Sequence, residues 1–527
     1  MNLIRPLTED YSDYLRDESR TMGYADTISF VKSEEDIVAV VQYCFQHNIP
    51  INIQGARTGL AGGASPLGGH VLNVSRMTKI TGMRFDPISG NYFLTVQPGV
   101  LLSQVRKALE NKAFDISGWS AQSIHALSQI KPGELFFSPD PTESTASIGG
   151  MAACNASGAR SFLYGSTRVH ISGMRIVLAD GSVTVLQRGV QQAHGRDFSL
   201  TLNSGQQLTA HIPDFDTPHT KDAGFYFRDD MDLLDLFIGS QGTLGIISQL
   251  EIALMPAPKL MWGATTFLPN DEAALRFIRA VRGEAIPGVP LFQHNPASLE
   301  FFNKNALEMV LKQKEVTSAF SQLLEIPANF NCAVYSEFND SDPHTFLPIL
   351  NELAQVVTAC GGDPDRTWVA KDSRELEKLI FFRHTVPETI DMLIDENKKN
   401  EPCITLLSTD MAVEDNYFEE LFHLYKSTLE KTNLHWIIFG HSGENHFHPN
   451  IMARNKEEYE QGHRIFKDWA VAVSKMGGTI TAEHGAGKIK RELALIMYGA
   501  ENMAKIKAFK LALDPKNLLS PGNIITL

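Results

Sequence analysis

The sequence predicts an α+β protein built from at least two large domains. Its 527 residues correspond to about three domains of ~150 residues, and two larger ones fit as well. Glycine and other small residues cluster before Pro258, whereas beyond it helical periodicity alternates with apolar strand runs to about residue 430. This change of pattern predicts a separate α+β domain after Pro258.

Composition excludes several classes of protein. Apolar residues make up 43% and charged residues 20%, as in folded globular proteins. The net charge of −14 offers no basic surface for a phosphate backbone, so we expect no nucleic-acid partner. No run approaches the ~18 apolar residues of a membrane span, and the first twenty residues lack the features of a signal peptide or presequence. We therefore expect a cytoplasmic protein.

The cysteines favour neither a disulfide framework nor a metal ribbon. They are odd in number and never spaced C-x-x-C, so no iron–sulfur or zinc-ribbon site is indicated. We expect them to be reduced and mostly buried. They are Cys44, Cys154, Cys332, Cys360 and Cys403.

The first glycine cluster runs from Ile51 to Ser75. It follows a helical pattern, EEDIVAVVQYCFQHN, and a short apolar strand. Because glycine has no Cβ, successive backbone N–H groups in such a loop can form a concave nest for phosphate oxygens. A tight surface turn is the plainer alternative. Neither a G-x-G-x-x-G after a first strand nor a P-loop motif occurs, so ordinary Rossmann and NTPase folds are not indicated.

Two further clusters follow, at Pro139–Arg168 and Gly239–Pro258. The strand pattern GMRIVLADGSVTVL lies after the first of them, and its Asp180-Gly181 pair predicts a hairpin. Beyond the last cluster the sequence predicts two helices and a strand. These segments are EAALRFIRAVRG, ELEKLIFFRHTVPETIDMLI and NFNCAVYSEF.

Histidines are concentrated in two motifs near the C-terminus, FGHSGENHFHPNI and GGTITAEHGAGKIKRE. A single histidine beside glycine is more often a hydrogen-bonded structural residue than a metal ligand. A cluster of imidazoles with a carboxylate is instead typical of a catalytic divalent metal that keeps an open coordination position. The spacing alone matches no standard zinc signature.

The three glycine clusters, in this order, resemble the FAD-binding oxidoreductases of the vanillyl-alcohol oxidase type. Within that group the chain is most similar to the branch of D-lactate, glycolate and D-2-hydroxyglutarate dehydrogenases, from about Ile28 to Ile525. The resemblance implies a two-subdomain PCMH-type FAD-binding domain over 1–258 and an α+β, ferredoxin-like substrate-capping domain over 259–480. Residues 481–527 are then expected to return to the flavin.

The resemblance also implies the cofactor contacts. One departure concerns the first loop, where relatives usually have R-G-G-G-T and this chain has Gln54-Gly55-Ala56-Arg57-Thr58. The arginine is displaced, and affinity for FAD is expected to be lower. No His or Cys occupies the loop position that links flavin covalently in some relatives, so noncovalent FAD is expected. The implied FAD-binding residues are Gly55, Thr58, Gly59, Leu60, Pro139, Thr145, Gly149, Gly150, Asn155, Gly158, Gly165, Gly239, Gly242, Thr243 and Gly245.

The same resemblance assigns the histidine motifs. The branch has the pattern G-H-x-G-D-G-N-x-H-x-N followed by E-H-G, which implies a divalent metal on His441, His448 and Glu483. Imidazole and carboxylate ligands suit zinc, manganese, cobalt or iron, and we expect zinc or manganese. The chain departs from this pattern only between the two histidine ligands. One departure is His446, which is an alternative metal ligand to His448, because alternate residues of a strand share one face. The resemblance further places His484 as the base, with Arg383 and Asn450 binding the substrate.

The resemblance thus implies oxidation of a 2-hydroxy acid, and the residues that it assigns suit that chemistry. A divalent ion lowers the pKa of the substrate hydroxyl, neutral His484 takes the proton, and a hydride passes from C2 to flavin N5. Relatives that oxidise dicarboxylates often have a lysine at the position of Leu406. Its absence favours a monocarboxylate such as D-lactate, unless Lys488, Lys490 or Arg491 substitutes.

Two alternatives and the partners stay open. One alternative is a metal-independent flavin alcohol or lactone oxidase, and the other is a noncatalytic flavin-binding subunit of a respiratory complex. Without an iron–sulfur or haem motif, electrons must pass to an external acceptor such as a quinone, a cytochrome, an electron-transfer flavoprotein or oxygen. A membrane-bound acceptor would be compatible with peripheral contact between this protein and the inner face of a membrane.

The sequence leaves the oligomeric state open, and a homodimer is one alternative.

Overall fold

A computed structural model describes residues 3–218, 220–221, 224–340 and 342–526. The chain forms two compact units. Unit 1 comprises Met1–Gly158, Gly165–Ala257 and Thr481–Leu527, and unit 2 comprises Ala159–Tyr164 and Pro258–Ile480.

The strands are β1 (Arg5–Pro6), β2 (Thr27–Phe30), β3 (Ile51–Gln54), β4 (His70–Asn73), β5 (Ile80–Phe85), β6 (Tyr92–Val96), β7 (Leu135–Phe136), β8 (Ile171–Val177), β9 (Val183–Gln187), β10 (Asp197–Thr201), β11 (Gln207–His211), β12 (Ile246–Pro256), β13 (Leu260–Leu268), β14 (Ser298–Phe302), β15 (Cys332–Asp340), β16 (Trp368–Ala370), β17 (Leu407–Ser408), β18 (Met411–Ala412), β19 (Trp436–His441) and β20 (His446–Ile451).

The α-helices are α1 (Glu34–His47), α2 (Leu102–Asn111), α3 (Ala121–Ser128), α4 (Ile148–Cys154), α5 (Ser161–Tyr164), α6 (Leu234–Phe237), α7 (Asp271–Val281), α8 (Lys304–Val316), α9 (Phe346–Ala359), α10 (Ser373–Asn400), α11 (Phe418–Leu429), α12 (Lys456–Lys475) and α13 (Arg491–Leu513), the last interrupted at Gly499.

Unit 1 contains two larger sheets. In the first, β4 pairs in parallel with β2 and β3, and β1 adds to β2 antiparallel. The second is antiparallel, in the order β5-β6-β12-β8-β9, with β7 also paired to β12. Its β8–β9 hairpin turns at Gly181, whose φ is +87°. The hairpin predicted at Asp180-Gly181 is confirmed.

Helix α1 shows why the predicted helical pattern folds as it does. The Ser33 side chain caps its first turn by accepting from the Asp36 amide, and acidic residues in that turn suit the helix dipole. Ile37, Val40, Val41 and Cys44 are buried, the spacing of one helix face. They pack with Leu72 of β4 in an apolar cluster of unit 1.

Unit 2 is built on an antiparallel sheet with the strand order β16-β13-β15-β14-β19-β20-β17, and β18 is also paired to β20. Its apolar core joins sheet residues such as Phe302 and Ala333 to α8 and α10. The two predicted helices appear within α7 and α10, and the predicted strand is β15. The α+β fold class is confirmed.

Across the described ranges, no helix is long and apolar enough to cross a bilayer. The cysteines are free: Cys44, Cys332 and Cys360 are buried, Cys154 is half-buried and Cys403 is exposed.

Candidate functional site

A cavity in unit 1 is lined by residues of all three glycine-rich segments. Backbone of small residues forms much of its wall, which lets a planar or phosphate-bearing ligand approach closely. Eight of the predicted FAD residues line it: Gly55, Thr58, Gly59, Leu60, Gly149, Gly150, Gly242 and Gly245.

The other predicted FAD residues lie elsewhere in unit 1, and several of them shape the segments that carry the lining. Asn155 ends α4 in a left-handed conformation and accepts the Arg168 amide through its side chain at 2.8 Å. At Gly158 a Cβ would lie 1.8 Å from the Asp140 carbonyl oxygen, so only glycine fits there. The remaining residues of this group are Pro139, Thr145, Gly165, Gly239 and Thr243.

Two observations are consistent with a ligand bound in this cavity. A Cβ built on Gly59 would meet no protein atom within 4 Å, so packing of the chain does not explain a glycine at this position. The Nε2 donor of Gln241, another lining residue, is buried without a hydrogen-bond partner among the described residues. Buried donors are rarely left unpaired, which is consistent with a ligand acceptor.

Ser147 links two of the segments that form the cavity. Its hydroxyl caps α4 by accepting from the Gly150 amide at 3.3 Å. The same oxygen accepts from the amide of Ala56 in the first loop at 3.4 Å. The second glycine segment is thereby fixed against the first.

Glu483 and His484, from the final part of unit 1, line the same cavity. The Glu483 carboxylate accepts hydrogen bonds from Ser157 Oγ at 3.2 Å and from Lys221 Nζ at 2.8 Å. Both members of the Lys221–Glu483 pair are more than nine-tenths buried. A predicted metal ligand and the predicted base therefore share a cavity with the glycine loops.

Lys488 connects the first loop to the C-terminal tail. Its Nζ donates to the carbonyl of Gly63 at 3.1 Å and to Asn523 Oδ1 at 2.6 Å. Burial lowers the pKa of Lys488 to about 7, against the opposing effect of the Asp17 carboxylate. Burial also raises the pKa of the Cys154 thiol in the cavity wall to about 11, so this thiol is protonated near neutral pH.

In unit 2, the histidine motif forms the ends of two paired strands. β19 and β20 are joined by a tight turn that places His441 opposite His446. His448 follows two residues later on the same face as His446. One ring nitrogen from each of the three histidines lies within 4.8 Å of the others.

Two of these imidazoles are oriented through Nδ1. His441 Nδ1 lies 2.6 Å from Glu300 Oε1, and Glu300 is 2% exposed. His448 Nδ1 lies 2.9 Å from the Thr409 carbonyl oxygen. Metal-binding histidines are typically held in this way by a carboxylate or carbonyl on the second nitrogen. The donor set of unit 2 therefore suits a divalent metal.

His446 has different surroundings. It is fully buried, and its Nε2 lies 3.3 Å from the Asp410 carboxylate. Its ring centroid is 4.2 Å from that of His448 and 5.7 Å from that of His441. The nearby Asp410 carboxylate distinguishes the surroundings of this ring from those of the other two histidines.

The remaining predicted residues of unit 2 are placed as follows. Asn450 is buried on β20, and its Nδ2 donates to the His448 carbonyl at 2.9 Å. Arg383 is half-buried on α10, with its guanidinium 3.1 Å from His384 Nε2. Leu406 is 44% exposed just before β17.

Several polar residues of these two regions were not predicted. Glu300 and Asp410 come from other strands and loops than the histidine motifs, and Lys221 belongs to no motif. Gln241 lies within the third glycine cluster but was not singled out there. A buried acidic residue in an apolar strand run, as in SLEFF around Glu300, is the one signal available in the sequence.

Comparison with known families identifies the group. An FAD binding domain family matches residues 25–124 and 122–187, and the C-terminal domain of FAD linked oxidases matches residues 267–524. Together these two matches cover most of the chain. The chain belongs to the FAD-linked oxidases. This FAD-linked oxidase is an FAD-dependent oxidoreductase, as its motifs predicted.

Curated relatives of this FAD-linked oxidase are similar over most of their length. A D-lactate dehydrogenase of Anaerostipes hadrus is 28% identical, over 97% of this chain and 92% of the relative. The glycolate oxidase subunit GlcD of Bacillus subtilis is 26% identical, over 95% and 88%. A mitochondrial D-2-hydroxyglutarate dehydrogenase of Rattus norvegicus is 24% identical, over 97% and 79%.

A solved structure of alkyldihydroxyacetonephosphate synthase has the same fold. It superposes with a TM-score of 0.60 at 15% identity, over 99% of this FAD-linked oxidase and 82% of that chain. At this identity the likeness concerns the fold alone, which is the predicted PCMH-type flavoprotein fold.

Proposed function

We propose that this FAD-linked oxidase oxidises a 2-hydroxy acid to the 2-oxo acid, with a D-lactate-like monocarboxylate as substrate. The observation that carries the proposal is the presence of Glu483 and His484 in the wall of the glycine-lined cavity. The names of the relatives, D-lactate dehydrogenase among them, agree with this chemistry.

FAD is proposed to bind noncovalently in that cavity. The sequence resemblance assigns fifteen residues to the FAD site, and the eight of them that line the cavity are the direct contacts in this proposal. When bound, FAD supplies the acceptor for the hydride that leaves C2 of the substrate.

A divalent metal, zinc or manganese, is proposed on His441, His448 and Glu483. The two histidines are supported by their Nδ1 partners in unit 2, whereas the assignment of Glu483 in unit 1 rests on the sequence resemblance. When bound, the metal supplies a positive charge that lowers the pKa of the substrate hydroxyl.

The chain's own residues then bind the substrate and move its proton. His484 takes the hydroxyl proton on a ring nitrogen, which requires the neutral imidazole. Arg383 binds the substrate carboxylate through its forked guanidinium, and Asn450 holds the substrate by its side-chain amide. Leu406 provides no cation for a second carboxylate, so a monocarboxylate is preferred.

Electrons leave the reduced protein to an external acceptor in this proposal: a quinone, a cytochrome or an electron-transfer flavoprotein. A relative from Arabidopsis thaliana is named D-lactate dehydrogenase [cytochrome]. The five cysteines of this chain offer no spacing for an internal iron–sulfur relay.

Anaerobic reduction of the bound flavin tests the function. The purified protein is mixed with the D and L enantiomers of lactate, 2-hydroxybutyrate and 2-hydroxyglutarate, and absorbance near ~450 nm, typical of oxidised flavin, is followed. The measurement is repeated after chelator treatment and after zinc or manganese is added back. We expect rapid bleaching by D-lactate that is lost with the metal and regained with it.

Each other result contradicts part of the proposal. Bleaching that chelators do not affect contradicts the metal and favours a metal-independent alcohol oxidase. A yellow protein that no hydroxy acid bleaches contradicts the reaction and favours a flavin-binding subunit. Flavin that remains with acid-precipitated protein contradicts noncovalent binding.

A further inference from the structure

The N-terminal segment of unit 1 is hydrogen-bonded to both arms of the first glycine loop. We call residues 9–24 the N-terminal brace, and the loop is residues 55–66. At the entrance to the loop, Gln54 is fully buried, and its Nε2 donates to the Tyr14 carbonyl of the brace and to the Ala64 carbonyl, each at 2.7 Å. One side chain therefore joins the brace to the start and the end of the loop.

The entering arm of the loop is held by its one cationic residue. The Arg57 guanidinium lies 4.3 Å from the centre of the Tyr14 ring and donates to the Asp13 carbonyl. The Arg57 carbonyl accepts from the Glu18 amide at 3.1 Å. The φ of Arg57 is +65°, a left-handed conformation that is unfavourable for a residue with a side chain. The contacts with the N-terminal brace stabilise Arg57 in this left-handed conformation.

The leaving arm is held by other residues of the same brace. The Asp17 carboxylate, which is 7% exposed, accepts from the Ala64 amide at 3.0 Å. Ser65 Oγ donates to the Thr21 carbonyl at 2.7 Å. The loop is thus fastened at each end to one short segment.

These contacts separate two possible uses of Arg57. Arg57 lines the cavity, and a guanidinium in such a loop is chemically suited to bind phosphate. The structure instead directs the guanidinium to the Tyr14 ring and the Asp13 carbonyl. A loop that is already held in one shape loses less conformational freedom when it binds a ligand.

We propose that the N-terminal brace sets the affinity for FAD by fixing the first glycine loop, with Tyr14, Asp17 and Arg57 as positioning residues. The displaced arginine of the first loop then acts through Tyr14 rather than on the cofactor. This inference rests on FAD binding by the loop and is independent of the substrate proposed above.

The test is a titration of the deflavinated full-length protein with FAD, in the absence of substrate. Intrinsic fluorescence gives Kd for the wild type, Tyr14→Ala, Tyr14→Phe, Arg57→Met and the double variant Tyr14→Ala/Arg57→Met. We expect Kd to rise about tenfold or more in Tyr14→Ala and in Arg57→Met. Tyr14→Phe keeps the aromatic face and stays within about twofold of the wild type.

The double variant separates a brace from a direct phosphate contact. Because Tyr14 and Arg57 act as one unit here, the double variant is expected to bind FAD no more weakly than Arg57→Met alone. Hydrogen exchange of peptides covering residues 55–66 is expected to accelerate in the flavin-free single variants. Tyr43→Ala, which removes a ring stacked on His47 of α1, is the control for loss of a tyrosine in the same unit and should retain Kd.

The inference is overturned if Tyr14→Ala retains the wild-type Kd while Arg57→Met loses affinity, since the guanidinium would then contact the cofactor itself. Additive losses in the double variant overturn it as well. Should Tyr14→Ala fail to fold, Arg57→Met decides: weaker FAD binding with unchanged exchange of residues 55–66 contradicts the brace, and faster exchange supports it. Failure to oxidise any hydroxy acid does not affect this test.

Discussion

At the scale of single residues, His484 is the side chain on which the proposed proton transfer depends. Replacing it by glutamine removes the base while leaving a polar group in the cavity wall. We expect the rate of anaerobic flavin reduction by D-lactate to fall by a factor on the order of 10² to 10⁴. Stopped-flow absorbance measures the rate, and the flavin content of the purified variant is expected to match the wild type.

His125→Gln provides the matched control, because His125 lies on α3 and is exposed. The flavin of His125→Gln should be reduced by D-lactate at the wild-type rate. If the flavin of His484→Gln is also reduced at the wild-type rate, the assignment of His484 as the base is contradicted.

Glu300 is the second residue with a specific expectation. Its buried carboxylate lies 2.6 Å from His441 Nδ1, where it orients the ring and raises the basicity of the other nitrogen. Glu300→Gln is expected to weaken metal binding by about 10- to 100-fold. Equilibrium dialysis with zinc, read by elemental analysis, measures the affinity.

The surface residue Glu308 on α8, paired with Lys304, gives the control variant Glu308→Gln. If Glu300→Gln and Glu308→Gln bind zinc with equal affinity, Glu300 does not orient a metal ligand. The contact between Glu300 and His441 would then no longer support a metal on His441.

Leu406 tests the choice of substrate. It is exposed just before β17, so a longer cationic side chain is accommodated there. Leu406→Lys is expected to raise kcat/KM for D-2-hydroxyglutarate relative to D-lactate by about tenfold, because the ammonium pairs with the second carboxylate. Leu406→Met is the uncharged control. Comparable turnover of both acids by the wild type contradicts the argument from Leu406.

At the scale of secondary-structure elements, His70 joins β4 to β2 in unit 1. Its ring nitrogens lie 2.8 Å from Thr27 Oγ1 and 2.8 Å from Ser29 Oγ. Burial lowers the pKa of His70 to about 4, from 6.5 in the unfolded chain. Between these values the unfolded chain binds a proton that the folded chain does not, so stability falls as the pH falls.

The shift corresponds to a loss of about 3 kcal/mol in the free energy of unfolding when the pH falls from about 7 to about 4. His70→Gln keeps a polar side chain without this titration, and its urea midpoint is expected to depend less on pH over that range. His47→Gln, on the exposed end of α1, should retain the wild-type dependence. Parallel pH profiles for His70→Gln and the wild type would contradict the prediction.

At the scale of the whole molecule, FAD is expected to stabilise the unit that contains the cavity. A ligand that binds only the folded state adds about 2.7 kcal/mol at a free concentration of 100 times Kd. Hydrogen exchange with mass spectrometry measures this unit by unit. We expect slower exchange in the glycine segments of unit 1 when FAD is added, and protection confined to unit 2 would contradict the proposed binding site.

The sequence by itself determined the features that depend on neighbouring residues along the chain. The burial spacing and caps of α1, the hairpin at Gly181 and the strand β15 all follow from local patterns. The glycine segments were equally visible, because a backbone that must approach another chain or a ligand needs small residues.

Only the tertiary structure decided which distant residues meet. Glu300 and His441 are 141 residues apart, and they become partners because β14 pairs with β19. Gln54 reaches Tyr14 across 40 residues, and Ala159–Tyr164 clusters with unit 2 although it is flanked by unit 1. Such contacts depend on the order in which strands pair and segments pack, and the periodicity of a single segment carries no information about that order.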